Sequence, residues 1–273
     1  MTLPKLTTKQ QEITRLLFRY RFLDRTHIQT LLHHKDKRRV ISWLKDLREK
    51  QYVEWIYDSD NFAEKTKPAI YYLGLNDIRL LRTLNEYSSE ELRKRYKEAT
   101  RQKSFVDRCL LLADCCLSME ARTANDGSLM YLYVTEADYA DPDNAYYFLN
   151  ESEFVHPNLC YTKTIAAEDG QIVTNNLLEV FDMTTPRYMV KKKLKGYVDF
   201  LDSDEWEQGT GDGDLPIILI ACPTKAELIY AKRYSRKLLE DIGQEDNEDI
   251  CIRFATVEQI KEFGMTGGIW EDI

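Results

Sequence analysis

At 273 residues the chain has room for two domains of ordinary size, and no apolar run approaches the roughly 18 residues of a membrane span. Its start, MTLPKLTTKQQ, lacks the apolar stretch of a secretion signal, so a cytoplasmic protein with no membrane contact is expected. The net charge of −8 argues against a nucleic-acid binder until it is divided by position: residues 1–100 carry 21 Lys and Arg against 14 Asp and Glu, and residues 101–273 carry 17 against 32.

A basic first part can release counterions from phosphates, whereas the acidic remainder is repelled by them, which assigns any DNA contact to the N-terminal end. There, residues 7–50 have the rhythm of three short helices. Thr7 or Thr8 caps the first, in which Ile13, Leu16, Leu17 and Tyr20 recur at helical spacing. Asp24 or Thr26 caps the second, with Ile28, Leu31 and Leu32 as its buried stripe. The third runs from about Asp36 to Lys50 with Val40, Trp43, Leu44 and Leu47 on one face, which sends Arg38, Ser42, Lys45 and Glu49 to the other. Two strand-like runs follow, YVEWIY (52–57) and AIYYL (69–73). Three helices and a hairpin are the order of a winged helix-turn-helix, assigned to residues 1–87, whose third helix enters the major groove while the wing lies along phosphates. In that geometry Lys35, Lys37, Arg38 and Arg39 are best placed for double-stranded DNA, with Ser42 and Lys45 further along the same helix. Arg38 is the expected base reader, and Lys65 and Lys67 in the wing would position without reading sequence. Winged helices also dock proteins, and that alternative stands. His33 and His34 read as turn residues.

Residues 88–121 read as one connector helix, since Ser88 or Ser89 supplies a cap and no Pro or Gly interrupts. Phe105, Cys109, Leu112, Cys116 and Met119 form a stripe expected to pack on the second domain. Ile78, Leu81, Leu84 and Tyr87 offer a surface on which two protomers could pair, too short for a coiled coil. A homodimer is expected because groove-reading helices gain affinity from two half-sites.

Residues 122–273 begin with the strand-like runs LMYLYV (129–134) and YYFL (146–149). A hairpin follows, then a helix from about Arg187 to Leu201, a strand at 216–222, a helix at 224–242 and a last strand at 250–256. That is a mixed sheet with helices on its faces, giving an α+β chain overall. DSDEWEQGTGDGD (202–214) reads as an acidic surface loop whose composition argues against order. Six Cys without a CxxC pair, and four His without HxxxH or HExxH spacing, read as buried thiols without a zinc site. If the hairpin turns at Glu168 and Asp169, residues whose numbers sum to about 337 face one another, and Asn158 faces Glu179. This is the layout of a PD-(D/E)xK nuclease core, in which two carboxylates hold Mg²⁺ and a Lys stabilises charge. Asn158 stands where the Asp would be, Glu179 holds the second position, and Phe181 replaces the Lys. Asp182 falls on the opposite face unless the strand has ended, and Lys193 of the following helix is the first choice for a substitute. One carboxylate and a borrowed Lys make a poor metal site, so these four read as vestigial, with no metal or other cofactor.

The pattern resembles the replication-relaxation family found on plasmids, phages and integrative elements of bacteria. The resemblance is carried by LTTKQQEITRLLFRYRFLDRTHIQTLL and KPAIYYLG, then by PN, LLEVFD, MVKKKLKGYVDFL and PIILIACPTKAELIYAKR, over about residues 7 to 260. It implies a DNA-binding protein of a mobile element with a nuclease-like second domain, and a role in replication or relaxation. The expected function is non-enzymatic recognition of a duplex site, for replication, transfer or transcription control, the second domain serving dimerisation or recruitment of a replication, relaxase or transcription protein. A metal-dependent nuclease or nickase, or a protein-only adaptor, is the alternative.

Overall fold

Thr7 starts the first helix by a reciprocal cap: its hydroxyl accepts from Gln10 N, and the Gln10 side chain accepts from Thr7 N at 3.0 Å. In the computed structural model, which describes residues 3–57, 66–84, 87–168, 170–244 and 246–273, that helix is α1 (Thr8–Tyr20) and buries Ile13, Leu17 and Phe18. A short strand β1 (Leu23–Asp24) leads to α2 (Arg25–Leu31), capped by Asp24, which accepts from Thr26 N and His27 N. Asp36 caps α3 (Lys37–Glu49) in the same way. The strands β2 (Val53–Ile56) and β3 (Ile70–Leu73) pair antiparallel, and β1 adds to β3, giving the sheet order β1-β3-β2.

The chain divides into two compact units, residues 1–117 and 118–273. After β3 come α4 (Leu75–Leu84), α5 (Ser89–Arg95), a 3₁₀ turn at Glu98–Thr100 and α6 (Lys103–Arg122), whose last turn belongs to the second unit. The connector is therefore not helical throughout, and the cause is charge rather than Pro or Gly. The last carbonyls of α1 have no intrahelical donor, and buried Arg95 supplies one, its Nε donating to Phe18 O at 3.2 Å. Buried Glu98 accepts from Arg21 Nε at 2.8 Å. The chain bends between α5 and α6 to place both groups. The stripe of α6 also differs from expectation: Cys109 and Val106 form a core with Phe22 of the first unit, and Phe105 packs against it. Ile78 and Leu81 are buried, and Tyr87 stacks on Phe18, which leaves Leu84 as the exposed member of that stripe.

His27 ties α2 to α6. Its Nε2 lies 2.9 Å from Asp114 Oδ1 and its Nδ1 lies 3.0 Å from Asp24 Oδ1. Burial alone pulls the imidazolium toward deprotonation, but hydrogen bonds to Asp114 and Asp24 outweigh it and hold the pKa up at about 9. At neutral pH both ring nitrogens therefore donate, and Nδ1–H points at the Asp24 carboxylate rather than accepting from its backbone N–H.

In the second unit the strands take the order β4-β5-β6-β7-β8-β9: β4 (Leu129–Thr135), β5 (Leu159–Ala167), β6 (Gly170–Val180), β7 (Ile217–Cys222), β8 (Ile252–Thr256) and β9 (Glu271–Asp272). The β6-β7-β8 pairs are parallel and the others antiparallel. Parallel strands covered on both faces read as unbroken apolar runs, and β7 is buried along all but its first residue. The helices are α7 (Glu136–Tyr139), α8 (Phe148–Glu151), α9 (Arg187–Leu201), α10 (Glu205–Thr210), α11 (Lys225–Asp241) and α12 (Val257–Phe263). Leu177, Ile218, Ile220 and Phe254 of the sheet form one core with Leu194 and Val198 of α9 and Leu228 and Ala231 of α11. The edge strand β4 is blunted: Leu129 O accepts from Ala124 N at 2.7 Å and Tyr131 N donates to Thr123 Oγ1 at 3.3 Å.

Two expectations for this unit are overturned. YYFL is not a strand, since Phe148 and Leu149 open α8, with Leu149 and the Phe148 ring turned into the core. The acidic stretch 202–214 is ordered around Trp206, fully buried on α10, whose Nε1 donates to Asp214 O at 3.0 Å and whose ring meets Phe148 and Phe200. One aromatic anchor outweighs a loop-forming composition.

His27 gives the fold a testable pH dependence. Because its pKa rises from about 6.5 unfolded to about 9 folded, its stabilisation is complete below the lower value and is lost as pH rises through the upper one. Urea melts of the wild type and His27→Gln should differ most near neutral pH and below, and converge in strongly alkaline buffer.

Candidate nucleic-acid interface and carboxylate cleft

α3 buries Val40, Leu44 and Leu47, and the opposite face is solvent. Lys35, Lys37, Arg38, Arg39, Ser42 and Lys45 are all exposed. Asp36 sits among them, but its carboxylate accepts from Arg38 N at 2.8 Å and from Arg39 N at 3.4 Å. It caps the backbone, and the Lys35, Lys37, Arg38 and Arg39 side chains have no carboxylate partner among the described residues. Lys45 makes only a loose i,i+4 contact with Glu49 at 3.9 Å. Lys67 is exposed at the approach to β3. Lys65 lies outside the described residues, as do 58–64 of the same segment.

Sequence reasoning missed the apolar part of this surface. Ile41 is 43% exposed between Arg38 and Lys45, and Trp55, Ile56 and Tyr57 are exposed on and just after β2. Arg48 lies with its guanidinium carbon 3.4 Å from the Trp55 ring centroid, an arrangement that holds the ring in place. The signal was available in YVEWIY, which has too many apolar residues for a strand with one buried face.

The second assembly lies in the other unit. The hairpin register is Leu159↔Leu178 through Ala167↔Gly170, so residue numbers sum to 337 as expected and Asn158 adjoins Glu179; Asp169 of the turn lies outside the described residues. Asn158 N donates to Leu178 O at 2.8 Å and its Oδ1 accepts from Val180 N at 2.8 Å, extending the ladder by one side chain. Glu179 is 1% exposed. Its Oε1 meets Lys193 Nζ at 2.5 Å and its Oε2 accepts from Tyr197 OH at 3.1 Å. Burial, and then the Glu179 charge, push the Tyr197 phenol well above its ordinary pKa, so it stays a donor. Asp182 lies beyond the end of β6 and accepts from Thr184 N at 2.8 Å in a local turn. These residues line or adjoin a cleft of about 430 Å³ formed by segment 153–156, Glu179 and the flank of α9 carrying Met189, Lys193 and Gly196. Gly196 is required for this approach, because a Cβ there would collide with Phe154 O. At the rim, His156 Nδ1–H donates to Leu149 O at 3.0 Å.

The donor set does not suit a hard divalent cation, which needs several oxygen ligands. The Asn158 oxygen is spent on the backbone, both Glu179 oxygens are engaged, and Asp182 holds a turn. Among the described residues no three His, Cys, Asp or Glu converge on one point. The cysteines form no disulfide among the described residues; five are buried and Cys251 is half-buried.

The model of the replication-relaxation family matches residues 15–214, which runs from the second half of α1 through the end of α10 and includes both assemblies. The chain belongs to the replication-relaxation family. Membership associates it with replication. No curated protein matches it. Among the described residues no helix is long and apolar enough to cross a membrane. The family match ends before β7, so α11 and the last three strands of this replication-relaxation protein lie outside it.

The saturated carboxylate predicts two stability effects. Asn158→Ala, which leaves Val180 N without its acceptor, should cost about 1–3 kcal/mol in urea unfolding, while Asn158→Asp should cost much less. Lys193→Met should destabilise, and adding Glu179→Gln to it should restore part of the loss, since a buried carboxylate without its cation is worse than none.

Proposed function

We propose that this replication-relaxation protein is a non-enzymatic DNA-binding protein of a bacterial mobile element that recognises a duplex site through the first unit. What carries the reading is α3: a helix whose apolar stripe is buried and whose start presents Lys37, Arg38 and Arg39, with Lys35 just before its cap, all exposed and without a carboxylate partner among the described residues. The element order α1, β1, α2, α3, β2, β3, with the three short strands in one sheet, fits a winged helix-turn-helix with α3 as the groove helix and β2–β3 as the wing. Arg38, Ser42 and Lys45 then face base edges. Lys37, Arg39 and Lys67 take phosphates, and the exposed Ile41 gives thymine methyl groups an apolar contact. A homodimer on two half-sites is part of the proposal, as is a replication, relaxase or transcription protein as partner. The process served is replication, transfer or promoter control of the element.

The second unit fits a PD-(D/E)xK-like sheet kept as a platform, with Glu179 serving the α9 packing. One observation favours a nuclease reading instead: Lys193 and Glu179 meet at 2.5 Å beside Asn158 at the edge of an open cleft. Incubation of supercoiled plasmid with the wild type in Mg²⁺ or Mn²⁺ separates the two. The proposal expects no nicking; nicking that Glu179→Ala abolishes would establish the enzyme.

For DNA binding, Arg38→Ala should weaken the specific site by about 1–3 kcal/mol with little change on random duplex. Lys67→Ala should weaken all duplexes alike and reduce the salt slope by about 1. Equal losses on specific and random DNA for Arg38→Ala would remove it from base reading.

A further inference from the structure

The acidic total of the second unit conceals a local reversal. Ten of its fourteen Lys and Arg residues lie on α9 and α11, against four Asp and Glu on the same two helices. The two helices pack side by side on one sheet face, and the seam between them is a ladder of cations on aromatic rings. Arg187 lies 5.3 Å from the Tyr230 ring centroid and Lys191 lies 5.3 Å from that of Tyr234. The two tyrosine rings are parallel within 5°, with centroids 6.5 Å apart. Stepping about 100° per residue along α11, Leu228, Ala231, Ser235 and Leu239 point to the core. Tyr230 and Tyr234 then flank α9, and Arg233, Arg236 and Lys237 face outward. Those three are exposed and have no carboxylate partner among the described residues. Lys192 on the crest of α9 is exposed in the same way. By contrast Lys225 and Lys232, on the flank away from α9, are both neutralised by Glu271.

A solvated helix face is ordinarily laced with i,i+4 ion pairs of mixed sign. This one carries ten cations against four carboxylates, with Asp199 paired to Lys195 and with Glu240 and Asp241 confined to the last turn of α11, and its cations border two aromatic rings, the combination that tracks a phosphate backbone while offering faces for bases. We propose that the α9/α11 face is a second nucleic-acid surface, separate from α3, and that its ligand is single-stranded DNA. The phosphates run along Arg233, Lys237 and Lys192, with unpaired bases lying over Tyr230 and Tyr234. Most carboxylates of the unit lie off these two helices, which leaves this one strip open to a polyanion. A protein associated with replication, which must meet opened strands, has a use for such a strip in addition to a duplex-reading helix; that clause alone rests on the proposed function, and the surface stands without it.

The test uses the full chain and fluorescein-labelled oligothymidylate, with binding read by anisotropy across a salt series. The Arg233→Gln, Arg236→Gln, Lys237→Gln triple variant should lose roughly ten-fold or more in affinity and show a flatter salt dependence. The Tyr230→Leu, Tyr234→Leu variant, with every charge kept, should also lose roughly ten-fold, because stacking is removed. Both should melt as the wild type does. A Lys37→Gln, Arg38→Gln, Arg39→Gln variant should bind oligothymidylate normally and lose duplex binding, so that failure of the α3 reading and failure of this one give different patterns. Unchanged oligothymidylate binding by the α11 triple variant would overturn the proposal. So would displacement of the oligonucleotide by polyglutamate at equal charge, which would make the strip a site for an acidic protein.

Discussion

Burial of Val40, Leu44 and Leu47 leaves α3 no freedom to turn about its axis. Rotating it by one residue step would expose a Leu and bury an Arg, exchanging a gain of roughly 1.5–3 kcal/mol for the desolvation of a charge. The outward placement of Arg38, Ile41, Ser42 and Lys45 is thus a consequence of core packing rather than of anything the surface does. Asp36 reinforces it. Its carboxylate accepts from the N–H groups of Arg38 and Arg39 and so fixes the start of the helix.

The second unit applies the same economy to Glu179. A carboxylate at 1% exposure must be paired and hydrogen-bonded, and Lys193 and Tyr197, one turn apart on α9, take one oxygen each. The backbone register puts Asn158 beside it, and Asn158 closes the hairpin by standing in for a backbone carbonyl. Asn158, Glu179 and Lys193 are thereby occupied in holding a strand end and a helix together, and Gly196 keeps that helix close.

Much of this was legible in residue spacing. The bounds of α9 and the 337 register follow from periodicity and from counting across a turn, since local pattern decides them; Lys193 enters from the sequence only as a substitute lysine, and the structure pairs it with Glu179. The bend at Tyr96–Gln102, the α8 helix in place of a strand and the ordering of α10 did not follow, because each is set by a partner distant in sequence: Phe18 O for Arg95, and the Phe148, Phe200 and Asp214 surroundings for Trp206. The charge division by halves is correct as arithmetic but does not resolve where within a half the charges lie. Lys and Arg of the second unit are concentrated on two adjacent helices, and an average over residues 101–273 erases a strip only a few residues wide.

The account rests on the outward face of α3 lying in a duplex groove. A photoreactive residue placed at Ser42, in the full chain bound to a duplex selected from fragments of its host genome, tests that contact without disturbing the cations. The account predicts covalent adducts to bases within the protected site, absent when the same residue is placed at Leu84. Adducts from Leu84 with none from Ser42, on DNA that the chain binds tightly, would contradict it.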